Sequence, residues 1–188
     1  MALAARRDSR MGIADYQVWV EARPDRERWE LIDGGPVLLA PPKERHQRIV
    51  MNLAKRLDDL AERRGCRAMT GLAVLSEAMD DFAPIPDVVV RCGPPLPDGY
   101  APDTVLVAEV LPPSAMSLDR GRKTDFYRSV PSLRTVLVVH QDEARVEVWR
   151  RRDGTEWDFE ALGLDGAIEL PDLGGAVAVR AVYTDIAF

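Results

Sequence analysis

The sequence predicts an α/β fold in which a mixed α+β sheet is flanked by helices. Three observations point there. The run from Glu44 to Arg64 carries apolar residues at Ile49, Leu53, Leu57 and Leu60, the spacing of one helix face. Valine-rich runs at Val88–Val90, Val105–Val110 and Val136–Val139 read as buried strands. The element order is helix, hairpin, long helix, strands, helix, strands, which suits helices packed on a sheet.

Taken in order, residues 1–12 are expected to be a flexible N-terminus and 13–188 a single domain. "IADYQVWVEA" places Ile13, Tyr16 and Val20 at helical spacing and Pro24 stops the run, so a short helix is expected over 13–22. "WELIDGGPVLLA" reads as a hairpin turning at Asp33 to Gly35, with Glu30 in its first strand. The long helix of 44–64 ends at Gly65, a suitable C-terminal stop. "CRAMTGLAVLSEA" gives a strand or two half-strands, followed by the valine-rich pair. Leu118 to Ser129 forms a second amphipathic helix, capped by Ser117 and closed by Val130-Pro131. Three strands then follow, separated by turns at Gln141–Glu143 and Asp153-Gly154, and the tail adds two short strands and a terminal turn.

Composition narrows the function. The chain has 188 residues, 46% of them hydrophobic and 30% charged, ordinary for one globular domain. Lys and Arg number 25 against 31 Asp and Glu, a net charge of −6, so any polyanion must be met by a local basic patch. Two cysteines without a CxxC pair and only two histidines argue against a Cys/His zinc site. Cys66 and Cys92 are read as reduced core thiols. No segment approaches the length needed to span a bilayer, and a cytoplasmic protein without a membrane partner is expected.

The acids within the valine runs carry the chemistry. If the loop between those runs centres on Asp98, residues whose numbers sum to 196 face each other, which pairs Asp87 with Glu109. Their Cβ atoms would lie about 4.5–5.5 Å apart. Val89 and Val107 share their face, while Val88, Val90, Ala108 and Val110 point to the other. Facing like charges need neutralising, and a Mg²⁺ ion held by two carboxylates and waters is the simplest device. The alternative is that Asp87 merely opens a strand after Pro86 and Glu109 pairs with an arginine.

Glu30 is either a third acid of the same cluster or a solvent-facing hairpin residue. Lys123, with Arg120 and Tyr127 on one helix face, either reaches back over the acids to position a water or is a solvated lysine. Lys43, Arg45, His46 and Arg48, leading into the long helix, with Arg120, Arg122, Lys123 and Arg128 on the second, either contact phosphates or form ordinary soluble faces. A serine hydrolase built on Ser114 is disfavoured, because no Gly-x-Ser-x-Gly elbow exists.

"WELIDGG", "HQRIVMNLAKRL", "PIPDVVV", "LVAEVLPPS", "DRGRKTDFYRSVPSLRTVLVV" and "VEVWRR", in that order, resemble the bacterial Uma-two family. The resemblance runs from about Tyr16 to the C-terminus. That family is grouped with the restriction-endonuclease-like, PD-(D/E)XK nuclease superfamily, which implies a restriction-endonuclease-like fold. It also implies that Asp87 and Glu109 hold catalytic Mg²⁺ (or Mn²⁺), with the Val110 carbonyl as a further ligand and Glu30 as the early acid. The superfamily's lysine two residues after the glutamate is Leu111 here, and the lysine of the resembling family on the following helix matches Lys123. The family's "SPS" is "PPS" here, and its acid after the next strand is replaced near His140-Gln141.

The resulting expectation is a metal-dependent nuclease acting on phosphodiester bonds, with DNA as substrate and a homodimer as assembly. Two rivals remain open. One is a catalytically inactive nuclease-fold module for nucleic-acid binding or dimerisation, and the other is a hydrolase of a small phosphate ester.

Overall fold

The computed structural model describes residues 10–112, 119–153 and 155–188. Helix α1 (Ile13–Glu21) leads to hairpin strands β1 (Trp29–Ile32) and β2 (Gly35–Leu38). Asp33 and Gly34 both have positive φ at the turn between them, 52° and 73°, as a two-residue hairpin requires. Helix α2 (Glu44–Ala61) continues as a 3-10 turn through Arg64 and stops at left-handed Gly65, as the sequence predicts. Strands β3 (Arg67–Met69) and β4 (Ala73–Val74) are the two half-strands.

The valine-rich pair becomes β5 (Val88–Arg91) and β7 (Thr104–Leu111), with β6 (Tyr100–Ala101) between them. Helix α3 (Asp119–Ser129) precedes β8 (Thr135–His140), β9 (Arg145–Arg151) and β10 (Trp157–Gly163). The chain closes with β11 (Ala167–Leu170), β12 (Gly175–Ala178) and α4 (Val179–Val182). The expected Ser117 cap, Ser114 and Gly154 lie outside the described residues, as does residue 118.

Six strands form the central sheet in the order β10-β9-β8-β7-β5-β3. Only β7 and β8 pair in parallel within it, because the intervening α3 carries the chain back across the sheet. The alternation read from the valines holds. Val88, Val90, Ala108 and Val110 pack with Leu137, Val139 and the Ile49, Leu53, Leu57 stripe of α2. Val89, Val107 and Val136 pack on the opposite face with Phe126, Tyr127 and Val130 around α3. The sheet is thus covered on both sides.

The sum-of-196 register is observed at Val88 with Ala108, Val89 with Val107 and Val90 with Leu106. The link is nevertheless no simple turn about Asp98. The ladder shifts after Val90, so that Arg91 faces Thr104, and β6 leaves the hairpin to pair in parallel with β4. Arg91, only 4% exposed, braces this loop by binding Asp103 through two nitrogens at 2.8 and 2.7 Å and the Pro94 carbonyl at 2.8 Å. Such a forked, fully bonded arrangement is what permits a buried guanidinium.

The thiol reading of the cysteines is corrected. Cys66 and Cys92 form a disulfide. Arg67 pairs with Arg91, so the next antiparallel step brings 66 opposite 92. Sequence spacing concealed this because their adjacency depends on β3 joining the edge of β5.

Candidate active site

The acids gather where β7 ends. Glu109 faces α3, only 7% exposed. α3 buries Phe126 and Tyr127 against the sheet, and Lys123 sits one turn before Tyr127 on the same side. Lys123 Nζ donates to Glu109 Oε1 at 3.3 Å and to Glu30 Oε1 at 3.0 Å. Tyr127 donates its hydroxyl to Glu109 Oε1 at 2.5 Å. Neither the solvated lysine nor the arginine-paired Glu109 is therefore observed.

Glu30 is buried, not solvent-facing. The hairpin that carries it is stitched to the segment before Asp87: Leu31 and Ala83 exchange backbone hydrogen bonds of 3.2 and 2.8 Å, and Ile85 N donates to Glu30 Oε1 at 2.8 Å. The same contacts thereby place Glu30 under Lys123 and hold the approach to Pro86-Asp87.

Asp87 departs from the expected face-to-face pose. It lies one residue outside β5, and its carboxylate turns onto the end of the ladder, where Oδ2 accepts the Val110 backbone N–H at 2.7 Å. An amide that lacks a strand partner must find another acceptor, and the side chain supplies it. Oδ1 meets His46 Nε2 at 2.9 Å, from the first turn of α2. His46 Nδ1 in turn lies 3.1 Å from Gln141 Nε2, which also donates to the Val110 carbonyl at 3.1 Å. Asp87, Glu109 and Val110 thus meet at one strand end, with α3 serving Glu109 and α2 serving Asp87.

Electrostatics reflect this crowding. Burial raises the Glu109 carboxyl to about 7. Lys123 pulls it down, Asp87 and Glu30 push it up, and the Tyr127 bond lowers it. Burial, with the Glu109 charge, pushes the Tyr127 phenol well up, which keeps it a donor. Burial pulls His46 down, but the Asp87 bond and charge prevail, so its imidazole is raised.

The basic residues divide. Arg45 binds the Gln141 and Ala187 carbonyls, and Arg122 pairs with Asp33. Arg128 lies over the Trp149 ring at 5.3 Å, while Lys43 and Arg48 are exposed. The Arg120 side chain lies outside the described residues. His140 faces Glu147 and Glu143 at 3.2 and 3.3 Å.

A family model described as "Uma2: Putative restriction endonuclease" matches residues 13–178. The chain belongs to the Uma2 family. Among similar proteins, "Uncharacterized protein slr1290" of Synechocystis is 25% identical over 93% of this chain and 92% of its own length. "Uncharacterized protein sll1609" of the same organism is 29% identical over 76% and 84% respectively. A crystal structure from Anabaena variabilis, described as a putative nuclease belonging to DUF820, superposes with a TM-score of 0.72. It covers 93% of this chain and 98% of that one at 16% identity, which establishes a shared fold.

Within this Uma2 chain, three residues at the site carry little signal in the sequence. His46 reads as one of the basic residues leading into α2, although it stands three before Ile49, at the head of the buried stripe. Tyr127 reads only as a neighbour of Lys123 on one helix face. Gln141 reads only as a turn residue, and nothing in local periodicity marks its reach to Val110. Among the described residues no helix is long and apolar enough to cross a membrane.

Proposed function

We propose that this Uma2 protein is a metal-dependent endonuclease that hydrolyses phosphodiester bonds, with DNA as its substrate. The observation that supports this most directly is the meeting of Asp87, Glu109, the Val110 carbonyl and Lys123 at the end of β7.

The donors suit a hard cation. Two carboxylates and a carbonyl are the oxygen ligands Mg²⁺ or Mn²⁺ takes, with water filling the rest. Glu109 Oε1 is engaged by Lys123 and Tyr127, while no hydrogen bond to its second oxygen is found among the described residues. Asp87, Glu109 and Val110 would hold the ion, which when bound lowers the pKa of a coordinated water and offsets charge on the phosphate.

The chain's own groups do the rest. Lys123 carries its ammonium beside Glu109 and can orient a water or bind a phosphate oxygen. Glu30 also binds that ammonium, and Tyr127 holds the Glu109 carboxylate by its hydroxyl. Lys43 and Arg48, exposed near the start of α2, supply backbone-phosphate contacts that do not read sequence.

A second reading has its own support. Among the described residues no group of three His, Cys, Asp or Glu side chains is arranged to hold an ion, and both Asp87 oxygens already have partners. That favours an inactive nuclease-fold module for binding nucleic acid.

The deciding experiment incubates the protein with plasmid, single-stranded DNA and RNA in Mg²⁺, Mn²⁺ or chelator, beside Asp87→Ala and Lys123→Ala. Cleavage that needs the cation and is lost in both variants is expected. Cleavage surviving in Asp87→Ala or in chelator refutes the mechanism, and nucleic-acid binding without cleavage in either cation selects the module.

A further inference from the structure

We infer that His46 and Gln141 are positioning residues, which aim the Asp87 carboxylate and the Val110 carbonyl at the cation site by closing a hydrogen-bonded ring around them. The inference rests on the function proposed above, since it concerns how that site is held.

The ring runs through four chain segments. Val110 N donates to Asp87 Oδ2, 2.7 Å away. Asp87 Oδ1 meets His46 Nε2, 2.9 Å away. His46 Nδ1 meets Gln141 Nε2 at 3.1 Å, and the same nitrogen reaches the Val110 carbonyl at 3.1 Å, which closes the circuit.

For the neutral imidazole, donor and acceptor counting gives the direction of every link. An amide nitrogen carries two hydrogens and accepts none. One therefore serves the Val110 oxygen and the other His46 Nδ1, so Nδ1 is the acceptor. The imidazole proton then sits on Nε2, where it donates to Asp87. Only an amide at 141 and an imidazole with its proton on Nε2 complete the ring in this sense.

Both side chains are themselves anchored. Gln141 N donates to the Leu111 carbonyl at 3.2 Å, and the Gln141 carbonyl accepts from Arg45, the residue preceding His46, at 3.2 Å. The first turn of α2 and the end of β8 are thus fixed to the end of β7 independently of the ring.

Counting also shows what the ring leaves available. An ionised carboxylate offers about four acceptor positions and a carbonyl two. The ring uses two on Asp87 and one on Val110, so each group retains capacity for an ion. Outer partners of this kind orient ligands, and their loss typically costs about 10–100-fold in metal affinity.

The test uses the full chain and Mn²⁺ as the probe. Calorimetric titration is run on wild type, Asp87→Ala, His46→Ala, His46→Gln and Gln141→Ala, with thermal unfolding in chelator as the control for folding. Expected are Mn²⁺ binding by wild type, loss in Asp87→Ala, about 10–100-fold weakening in His46→Ala and Gln141→Ala, and partial recovery in His46→Gln, whose amide still donates. Nitrogen-15 spectra of the chelated protein at alkaline pH give a second readout. His46 is expected to carry its proton on Nε2, with that preference relaxing in Gln141→Ala; His140→Gln assigns the signals.

Wild-type affinity in both alanine variants, or a proton on Nδ1 in wild type, overturns the positioning role while leaving the proposed function standing. Failure of wild type to bind Mn²⁺ overturns both.

Discussion

Replacing Glu109 by Gln should make the cation-free protein more stable, and only above a defined pH. Burial raises the Glu109 carboxyl from 4.5 to about 7, even with Lys123 and Tyr127 pulling it down. The folded state therefore keeps its proton to higher pH than the unfolded chain does. Between those two values the unfolded chain has already released the proton, so stability falls as pH rises, by about 1.4 kcal/mol per unit. Over the whole interval this is about 3 kcal/mol, present in full at low pH and lost once pH exceeds about 7.

Gln mimics the protonated acid in shape and charge. Wild type and Glu109→Gln should accordingly coincide below about pH 4.5 and separate to about 3 kcal/mol above about pH 7, with the variant more stable. Urea denaturation in chelator across that range reads the difference from the midpoints at constant slope. Parallel curves, or a variant less stable at every pH, would refute the reasoning that Glu109 is a destabilising buried charge kept for its chemistry.

Three further outcomes follow from neighbouring contacts. Lys123→Met leaves Glu30 and Glu109 without their shared cation and should cost about 3–5 kcal/mol at alkaline pH, with the loss shrinking as acid protonates Glu109; denaturation at two pH values checks it. Tyr127→Phe removes a hydrogen bond to a buried carboxylate, which should cost about 1.5–3 kcal/mol and move the Glu109 titration further up, since that bond lowers it. The Cys66–Cys92 bridge spans a sequence separation of 26, a loop whose closure is worth about 3 kcal/mol by chain entropy. Reductant should lower the unfolding free energy of wild type by that amount, read as the shift in urea midpoint multiplied by the slope m, and leave a Cys66→Ser/Cys92→Ser variant unchanged.

Much of the fold was legible because periodicity reports burial. The α2 stripe, the hairpin turn at Asp33-Gly34 and the face alternation of Val88–Val90 against Val107–Val110 are local patterns, and each is found where spacing placed it. Even the pairing of β5 with β7 could be counted, because the ladder near Asp87 obeys one sum. Contacts made across the sheet were not legible. Cys66 reaches Cys92 only because β3 takes the edge position, and Gln141 reaches Val110 only because β8 lies parallel beside β7. The site was half visible for the same reason: acids within apolar strands stand out, whereas a glutamine in a turn and a histidine in a basic run do not.

The arrangement also explains why Glu109 remains perturbed. Two networks meet at β7. One joins Glu30, Lys123, Tyr127 and the Glu109 side chain on the α3 face. The other joins Asp87, His46, Gln141 and the Val110 backbone toward α2. Consecutive residues of one strand carry both, yet among the described residues no hydrogen bond links Asp87 to Glu109. Lys123 binds Glu30 and Glu109 together, and His46 binds Asp87 while also feeling the Glu109 charge. Burial is the main reason the Glu109 carboxyl is raised, and the Asp87 and Glu30 charges add to it against the pull of Lys123. A positive charge at the end of β7, between the two networks, would act on both at once. On the proposed function, that is where Asp87, Glu109 and the Val110 carbonyl would hold the cation.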